Sequence, residues 1–536
     1  MKQKFLSIVL ATMTVMPAVA QSTENAVQPQ KTWYGQELYL QNISYGSANP
    51  SSIAKNPYTQ LNSIQGSYSN ISGKFRPVDG ADKQTLTDFS IYGTKKVKKV
   101  SFEGSLDYRI ENENNSRWNN SVLRTEKNPF IIADSLYYLG ADGTDSIPND
   151  HNREIFNLNG GFSYQATDRL VLALRANYKV GSLADQSDPR FEAHGARIRL
   201  NPGAEFRLND KLSFGLSGTA EMYHENISCT VEDNIYPTHT IFFLFQQIGN
   251  YTVREGSSYA RRYNGKTFGG SADAEFSTGI IQNFLEAGTT VNIEEAIDGG
   301  SSYEDHAGEY HQTDMAFKDR FQVKGDNMIH NIELNAGILM SKGKVFKQNT
   351  HKDNLGNTIW EISSSEITQK EQDVVADLSY RLDLVKNGFS HFTAKVNGGI
   401  DMVSVTQYPD DYHAKFTLAN AGLEVSKRWK ENQVRYSVTA LGNYTMALNE
   451  LDLVVPMTKS SEKKFANSYY SPKYQYEAAE FFNASLKADA AYSIVGRDQN
   501  RYWIKLGASY NLRKYLGDYN RFNDRQTVMA NISLTF

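Results

Sequence analysis

The sequence lacks several features that would define its class by themselves. It contains one cysteine, Cys229, which excludes a disulfide framework, a thiolate zinc site and a CxxC redox pair. Its 56 lysines and arginines are balanced by 60 aspartates and glutamates, so the chain lacks the excess positive charge that binding to nucleic acid requires. Only 13 prolines occur, and no linker divides the chain into soluble domains. Beyond the first twenty residues no run of about 20 apolar residues exists, which excludes helical membrane spans.

The first residues form a segment of their own. Lys2 and Lys4 precede a largely apolar stretch, 5–16, and Ala18-Val19-Ala20 places small residues before Gln21. This order is typical of a secretory signal peptide. We therefore expect residues 1–20 to be cleaved and the mature protein to leave the cytoplasm.

From about residue 85 to the last residue, apolar and polar side chains alternate. In the segment 170–180 the even positions are apolar, whereas Arg175, Asn177 and Lys179 are polar. Successive strand side chains point to opposite faces, so one parity should meet an apolar phase. The segments run 10 to 14 residues, which suits transmembrane strands of about 9–11 better than soluble strands of about 5–6. The pattern predicts an all-β fold, a transmembrane antiparallel β-barrel in the bacterial outer membrane, over a soluble sandwich or propeller.

The connections between segments alternate in length, as outer-membrane barrels require. Short ones are predicted near 166–169, 209–211, 386–388, 430–432 and 496–500, and long polar ones at 111–153, 228–258, 298–312, 342–370 and 449–474. The barrel is predicted to span 61–536 with about 16–18 strands, 14 remaining an alternative. Eighteen strands would start near 61, 85, 98, 154, 169, 194, 211, 259, 283, 313, 328, 371, 390, 413, 432, 475, 500 and 525.

The two ends of the mature chain carry further signals. Residues 21–60 do not alternate, and two Asn-Pro steps, at Asn49 and Asn56, indicate bends. With Trp33, Tyr34, Leu38 and Tyr39 this segment is predicted to fold into the lumen as a plug or to remain as a periplasmic segment. The last segment ends at Phe536, which we predict to be the signal that the barrel assembly machinery recognises.

These features resemble a known group of proteins. The Lys-rich signal ending in Ala-Val-Ala-Gln, the segment WYGQELYLQNISYGSANPSSIAKNPY and the last residues NISLTF resemble an uncharacterised family of Bacteroidota outer-membrane β-barrel proteins. The resemblance implies the barrel fold and no activity. TonB-dependent receptors carry a folded plug domain, for which about 40 residues are too few. Fatty-acid channels often have an Asn-Pro-Ala step, which the Asn-Pro-Ser and Asn-Pro-Tyr steps match only in part.

Charged residues on the polar parity are candidates for lining the lumen. Five cations were assigned to three successive strands and could form a basic patch: Arg175, Lys179, Arg197, Arg199 and Arg207. The candidate anions are Glu103, Asp107, Glu111, Asp377, Asp383 and Asp401. Opposed charges line water-filled constrictions of porins. The same charges could instead pair and hold a closed lumen together.

These observations leave three functional hypotheses. The first is a porin-like or accessory nutrient-uptake barrel that passes or binds a polar solute. The second is a non-conducting scaffold for a cell-surface or secretion complex. The third is a rim-active outer-membrane hydrolase, for which Asp410, Asp411 and His413, or a serine beside His194, His224 or His391, would be needed.

The sequence favours a protein that is not an enzyme and that uses no cofactor or metal. His306 and His311 lie near carboxylates, but their spacing fits no ligand motif. The expected partners are outer-membrane lipid, the barrel assembly machinery and surface or TonB-linked proteins, with no nucleic acid.

Overall fold

The computed structural model describes residues 39–131, 136–137, 150–185, 190–232, 240–248, 250–255, 258–299, 304–356, 358–386, 389–495 and 501–536. Its strands are β1 (Gln60–Gly73), β2 (Lys83–Val97), β3 (Val100–Asn114), β4 (Leu136–Tyr137), β5 (His151–Gln165), β6 (Leu170–Asp185), β7 (Arg190–Asn209), β8 (Leu212–Thr230), β9 (Thr240–Gln247), β10 (Asn250–Glu255), β11 (Ser258–Ser277), β12 (Ile281–Asp298), β13 (Asp305–Lys324), β14 (Met328–Lys352), β15 (Thr358–Lys386), β16 (Phe389–Gln407), β17 (His413–Glu431), β18 (Val434–Ala447), β19 (Asp452–Val454), β20 (Phe481–Val495), β21 (Arg501–Tyr515) and β22 (Asp524–Thr535).

The long strands form one closed antiparallel barrel. Each pairs with the next long strand in sequence, and β22 pairs with β1 to close the ring. The backbone of Phe536 exchanges two hydrogen bonds with Asn62, at 2.7 and 2.9 Å. The main sheet has 19 strands, of which the short β19 adds only to β17. The remaining eighteen confirm the predicted all-β barrel, and β4, β9 and β10 form a small separate sheet.

The strand facing follows the predicted alternation. On β6 the outward Leu172 and Leu174 are 44% and 36% exposed, whereas the inward Arg175 and Asn177 are 9% and 4% exposed. This apolar outer surface suits a lipid bilayer, because its exposed apolar side chains contact lipid there rather than water. Within the described part of the chain, no helix is long and apolar enough to cross a membrane.

Two predicted loops are strands in the structure. β13 begins at Asp305, inside the predicted loop 298–312, and β14 and β15 run on to Lys352 and from Thr358, through the predicted loop 342–370. In this extension almost every residue from 359 to 367 is exposed. Both faces of this extension meet water. Its sequence therefore does not alternate between apolar and polar residues, and nothing in it indicates a strand.

A helical segment is present where the alternation predicted none. It consists of α1 (Ser460–Phe465), a π-helical turn (Ala466–Tyr470) and α2 (Ser471–Glu477), between β19 and β20. The Glu462 carboxylate accepts the backbone N–H groups of Thr458 and Lys459 at 3.1 and 2.9 Å, which caps its start. The predicted polar connection 449–474 therefore contains helical structure, and the start of β20 moves from about 475 to Phe481.

The two rims of the barrel differ. At the first, the turn rim, connections span two to five residues, as at 98–99, 210–211, 278–280 and 432–433. At the second, the loop rim, the connections 115–150, 231–257 and 448–480 are much longer. Three of the five predicted long connections agree with these, whereas the predicted loops 298–312 and 342–370 shorten to 299–304 and 353–357.

Candidate functional site

The segment before β1, residues 39–58, lies inside the barrel and is called here the N-terminal strap. It contains a 3₁₀ helix (Pro50–Lys55), and the Asn49 side chain accepts the Ser51 N–H to cap it. Pro50 suits the first helical position because its missing N–H would have no partner there. Ile53 is 2% exposed, against the inner wall at Gly161. The predicted signal peptide and the candidate anchors at 33, 34 and 38 lie outside the described residues.

One end of the N-terminal strap is fixed by Tyr39. Its ring lies between two guanidinium groups, 4.3 Å from that of Arg320 and 5.0 Å from that of Arg381. Its hydroxyl donates a hydrogen bond of 3.0 Å to Glu333. Cation–π contacts of this kind gain strength where water is excluded. Tyr39 therefore attaches the strap to the wall formed by β13, β14 and β15.

The other end of the strap is fixed by polar contacts to β7 and β11. The Lys55 Nζ lies 2.6 Å from Glu205 and 2.7 Å from Glu275. Asn49 donates from Nδ2 to Asp273 Oδ2 at 2.8 Å. Burial acts to lower the pKa of Lys55, but Glu275 and Glu205 outweigh it and raise that pKa. Lys55 is therefore a charged ammonium ion held by two carboxylates.

All the anchors of the N-terminal strap lie at one level. They are three to six residues from the turn rim, which corresponds to roughly 8–15 Å along the barrel axis for tilted strands. The wall residues are Glu205, Asp273, Glu275, Glu286, Arg320, Glu333 and Arg381. The strap thus crosses the lumen transversely, and none of its own residues contributes to the strand ladder that closes the barrel.

A second segment, residues 115–131, also enters the lumen and is called the first-loop strap. Glu225 on β8 accepts the backbone N–H groups of Val122 and Leu123 at 2.6 and 3.1 Å. The same carboxylate accepts the Ser121 hydroxyl at 2.9 Å. Arg197 donates to the Leu123 carbonyl at 2.7 Å. A buried carboxylate that receives several backbone donors is a strong, specific anchor.

The first-loop strap continues across the barrel to β12 and β15. Asn128 donates to Glu294 at 3.0 Å, and Lys127 forms ion pairs with Glu371 at 2.7 Å and Asp373 at 3.0 Å. These wall carboxylates are 14 to 16 residues from the turn rim, roughly 37 Å along the axis. That height is above a hydrophobic band of about 25 Å. The two straps therefore cross the lumen at different levels.

The helical segment 460–477 packs on the first-loop strap at the loop rim. The Trp118 ring lies 6.3 Å from that of Phe465 and 5.2 Å from that of Tyr469. Tyr474 is 3% exposed and belongs to an apolar cluster with inward residues of β16 and β17, among them Phe416. The inner wall is apolar at this height because it is covered by protein rather than by water.

The predicted basic patch is not one free patch. Its five cations come from two adjacent strands, β6 and β7, and the assignment to three strands was wrong because β7 runs unbroken from Arg190 to Asn209. Arg197 and Arg199 share Glu221, at 2.9 and 2.6 Å. Arg175 lies 3.8 Å from Glu103 of β3, across the intervening β5, and Arg207 lies 3.5 Å from Glu205 of its own strand. Lys179 shares the inward parity of β6.

The candidate anions on β3 have local partners. Asp107 accepts from Ser105 at 3.5 Å, and Glu111 accepts from Gln84 at 3.2 Å. These short-range contacts join side chains of the same wall. The three carboxylates of β3 therefore do not stand as an isolated acidic wall opposite the arginines.

The candidate anions on β15 and β16 differ from one another. Asp383 is fully buried, forms a bidentate pair with Arg381 at 2.6 and 2.8 Å, and accepts from Thr393. Asp377 and Asp401 are different, because no described lysine or arginine nitrogen lies within 4.0 Å of either. These two carboxylates lie on the inward faces of adjacent strands, β15 and β16.

The histidines do not assemble a centre among the residues described. His306 pairs with Glu295, and His311 with Glu309. His413 Nε2 on β17 lies 3.2 Å from Asp452 on the neighbouring β19. No group of three or more potential metal ligands comes together in the described ranges. Within the described ranges, no serine forms a hydrogen bond with His194, His224 or His391, as a hydrolase would need; His224 contacts Asn226 and Asn264.

Several residues of the site carried no sequence signal. Lys127 lies in a loop with no periodicity, and its partners Glu371 and Asp373 lie at the start of a predicted strand, where nothing distinguishes them from other inward polar residues. Glu225 and Glu294 alternate like any inward polar residue. The start of α1 carries no such signal either, because its N-cap residue is Lys459 and Thr458 precedes Glu462 by four residues rather than the three of a Ser/Thr capping box.

Comparisons with solved structures found barrels of low sequence identity. The ferric preacinetobactin receptor BauA of Acinetobacter baumannii is 9% identical with a TM-score of 0.41, covering 89% of this chain and 80% of that one. The RagAB peptide importer is 9% identical with a TM-score of 0.40, over 89% and 86% of the two chains. The outer membrane transporter YddB of Escherichia coli is 9% identical with a TM-score of 0.38, over 89% and 81%.

Comparison with curated proteins gave no match. One family model matches, and it does so over residues 50–536, which include the end of the N-terminal strap and every strand of the barrel. The protein therefore belongs to the family of unknown function DUF6850.

Proposed function

We propose that the protein is an integral outer-membrane barrel that binds and passes a polar solute, with the two straps as its gates. The support comes from how the straps are held. The N-terminal strap is attached by side-chain contacts, such as those of Lys55 and Tyr39, and contributes no backbone pairing to the barrel. Such contacts can be released while the ladder of eighteen strands stays intact.

The lumen between the straps is polar, which suits a hydrophilic solute. Asn159, Asn177 and Asn443 are buried at 5%, 4% and 5% exposure on the inner wall. Amide side chains supply both donors and acceptors, and so can replace the hydration of an uncharged or charged polar solute. We further propose that the protein is not an enzyme, since the described residues bring no nucleophile and base together.

One observation favours the alternative of a non-conducting scaffold. Inward charges such as Arg197, Arg199 and Glu221 form ion pairs of 2.9 Å or less, as expected of a closed lumen that ion pairs hold together. In that case the hairpin of β14 and β15, which extends past its neighbours at the loop rim, would contact a cell-surface partner. Surface or TonB-linked proteins remain proposed partners under either function.

Conductance in planar bilayers tests the proposal. The forms to compare are the intact protein, a deletion of residues 22–55, and the same deletion with residues 116–130 replaced by a short Gly-Ser linker. We expect folded, heat-modifiable barrels whose conductance rises from the first form to the third. A folded but electrically silent third form would refute the channel and favour the scaffold.

A further inference from the structure

The inner wall at β15 and β16 carries four carboxylates on one face. The residues are Glu371, Asp373 and Asp377 of β15 and Asp401 of β16, which pairs with Val375 in the ladder. Because strand residues two apart share a face, Asp401 lies diagonally between Asp373 and Asp377. The patch extends from the first-loop strap toward the turn rim, into the part of the lumen between the straps.

One cation from elsewhere in the chain already occupies the upper end of this patch. Lys127 Nζ contacts Glu371 Oε1 and Asp373 Oδ2, and the two carboxylate side chains are only 5% and 4% exposed. Burial acts to lower the pKa of Lys127, but Glu371 and Asp373 outweigh it and raise that pKa well above its usual value. The group held there is therefore a primary ammonium ion.

Lys127 does not provide a hydrogen bond to every carboxylate oxygen of the patch. Asp373 Oδ1 is buried and has no hydrogen-bond partner, although the residue is only 3% exposed. Asp401 Oδ1 is likewise buried without a partner. A buried acceptor without a donor is energetically costly, and more so when it is charged. The wall thus offers more acceptor atoms than the single ammonium group can use.

We propose that this patch is a binding site for solutes carrying two or more ammonium groups, and that Lys127 occupies it as an internal substitute. The inference rests on the proposed function, since it names the class of solute that the barrel would take. Such a solute displaces Lys127 from Glu371 and Asp373, and the first-loop strap then loses its attachment to β15.

The spacing of the carboxylates explains why more than one ammonium group is needed. A tethered lysine competes as an intramolecular ligand with a high effective concentration, so a single ammonium group in solution displaces it poorly. Asp373 and Asp377 are four residues apart, roughly 13 Å along an extended strand. A linear polyamine can span this distance and contact carboxylates that Lys127 does not reach. A bare metal ion fits less well, because no metal-binding cluster is present among the described residues.

The experiment measures spermine binding to the purified full-length barrel in detergent by calorimetry. In Lys127→Met the internal competitor is absent, so we expect at least tenfold tighter binding than in the intact protein. Adding Asp377→Asn and Asp401→Asn, which are nearly isosteric, should remove that gain. Asp518→Asn, an exposed change at the loop rim, is the matched charge control and should leave binding unaltered.

A second measurement uses the intact protein and needs no variant. Spermine should increase tryptic cleavage at Arg117 and Arg124 of the first-loop strap at least fivefold, and an uncharged polyol should not. Equal spermine affinity in all four proteins, or strap cleavage that spermine leaves unchanged, would overturn the proposal. Because neither readout involves conduction, a barrel that binds spermine as described yet stays electrically silent would contradict only the proposed channel.

Discussion

The attachment of the N-terminal strap through Lys55 gives a quantitative prediction. Lys55→Met removes the ammonium group and leaves Glu205, which is 2% exposed, and Glu275 facing each other. Breaking a buried ion pair on one side costs about 3–5 kcal/mol. Arg207 still lies 3.5 Å from Glu205 and neutralises part of the charge, so we expect the lower end, about 3 kcal/mol.

A loss of about 3 kcal/mol raises the population of the detached strap roughly 100-fold, at about 1.4 kcal/mol for each factor of ten. Detachment exposes Tyr45, so chymotrypsin should cut the strap faster in Lys55→Met while the barrel itself stays heat-modifiable. Lys55→Arg keeps the charge and should behave like the unmodified protein. Adding Glu275→Gln to Lys55→Met removes one uncompensated carboxylate and should slow the cleavage again.

The result that would refute this reasoning is an unchanged cleavage rate in Lys55→Met. It would mean that the ion pairs contribute little to holding the strap and that Tyr39 and the buried 3₁₀ helix suffice. Equal acceleration in Lys55→Arg would point to side-chain shape rather than charge as the cause.

Three further predictions concern the barrel and its helical segment. Leu174→Arg places a charge in lipid five residues from the turn rim and should lower the outer-membrane level through a cost of about 2–4 kcal/mol, whereas Leu174→Met should not; equal levels would show that the facing is wrong. Deleting Phe536 removes its two backbone bonds to Asn62 and should slow heat-modifiable assembly, which Phe536→Tyr should preserve. Hydrogen bonds from the Lys459 backbone and Thr458 lower the pKa of Glu462 to about 2, so its capping contribution is complete above about pH 4.5 and is lost toward pH 2. Amide exchange over 460–465 should rise on that acidification, and Glu462→Gln should show the faster exchange already at pH 7.

The strand ladder is the part of the structure that could be predicted from sequence. Each of the eighteen predicted starts corresponds to one strand of the barrel, and fifteen of them lie within four residues of its observed first residue. The physical reason is that a strand between lipid and a wet lumen must alternate at every second residue. Leu172, Leu174 and Arg175 show this requirement directly, and it depends on neighbours one and two positions away.

The sequence-based predictions fail where a strand no longer lies between lipid and a wet lumen. The hairpin extension beyond Lys344 has water on both faces, so it is a strand without alternation. Near Phe416 the inner wall is apolar because a helix covers it, and the helix itself carries a period that the strand pattern does not describe. The local sequence shows whether a side chain is suited to lipid, water or protein. In these two places, other segments of the chain determine which of the three it contacts.

Sequence alone determined that the chain is a membrane-type β-barrel, which parity faces outward, and which connections are short. Only the tertiary structure decided what fills the lumen. Lys55 and its partners Glu205 and Glu275 are separated by 150 and 220 residues, and Lys127 is 244 residues from Glu371. Such pairs leave no local pattern, because ring closure brings distant strands around one interior. The charge that a solute would meet is fixed by these contacts rather than by the count of inward arginines.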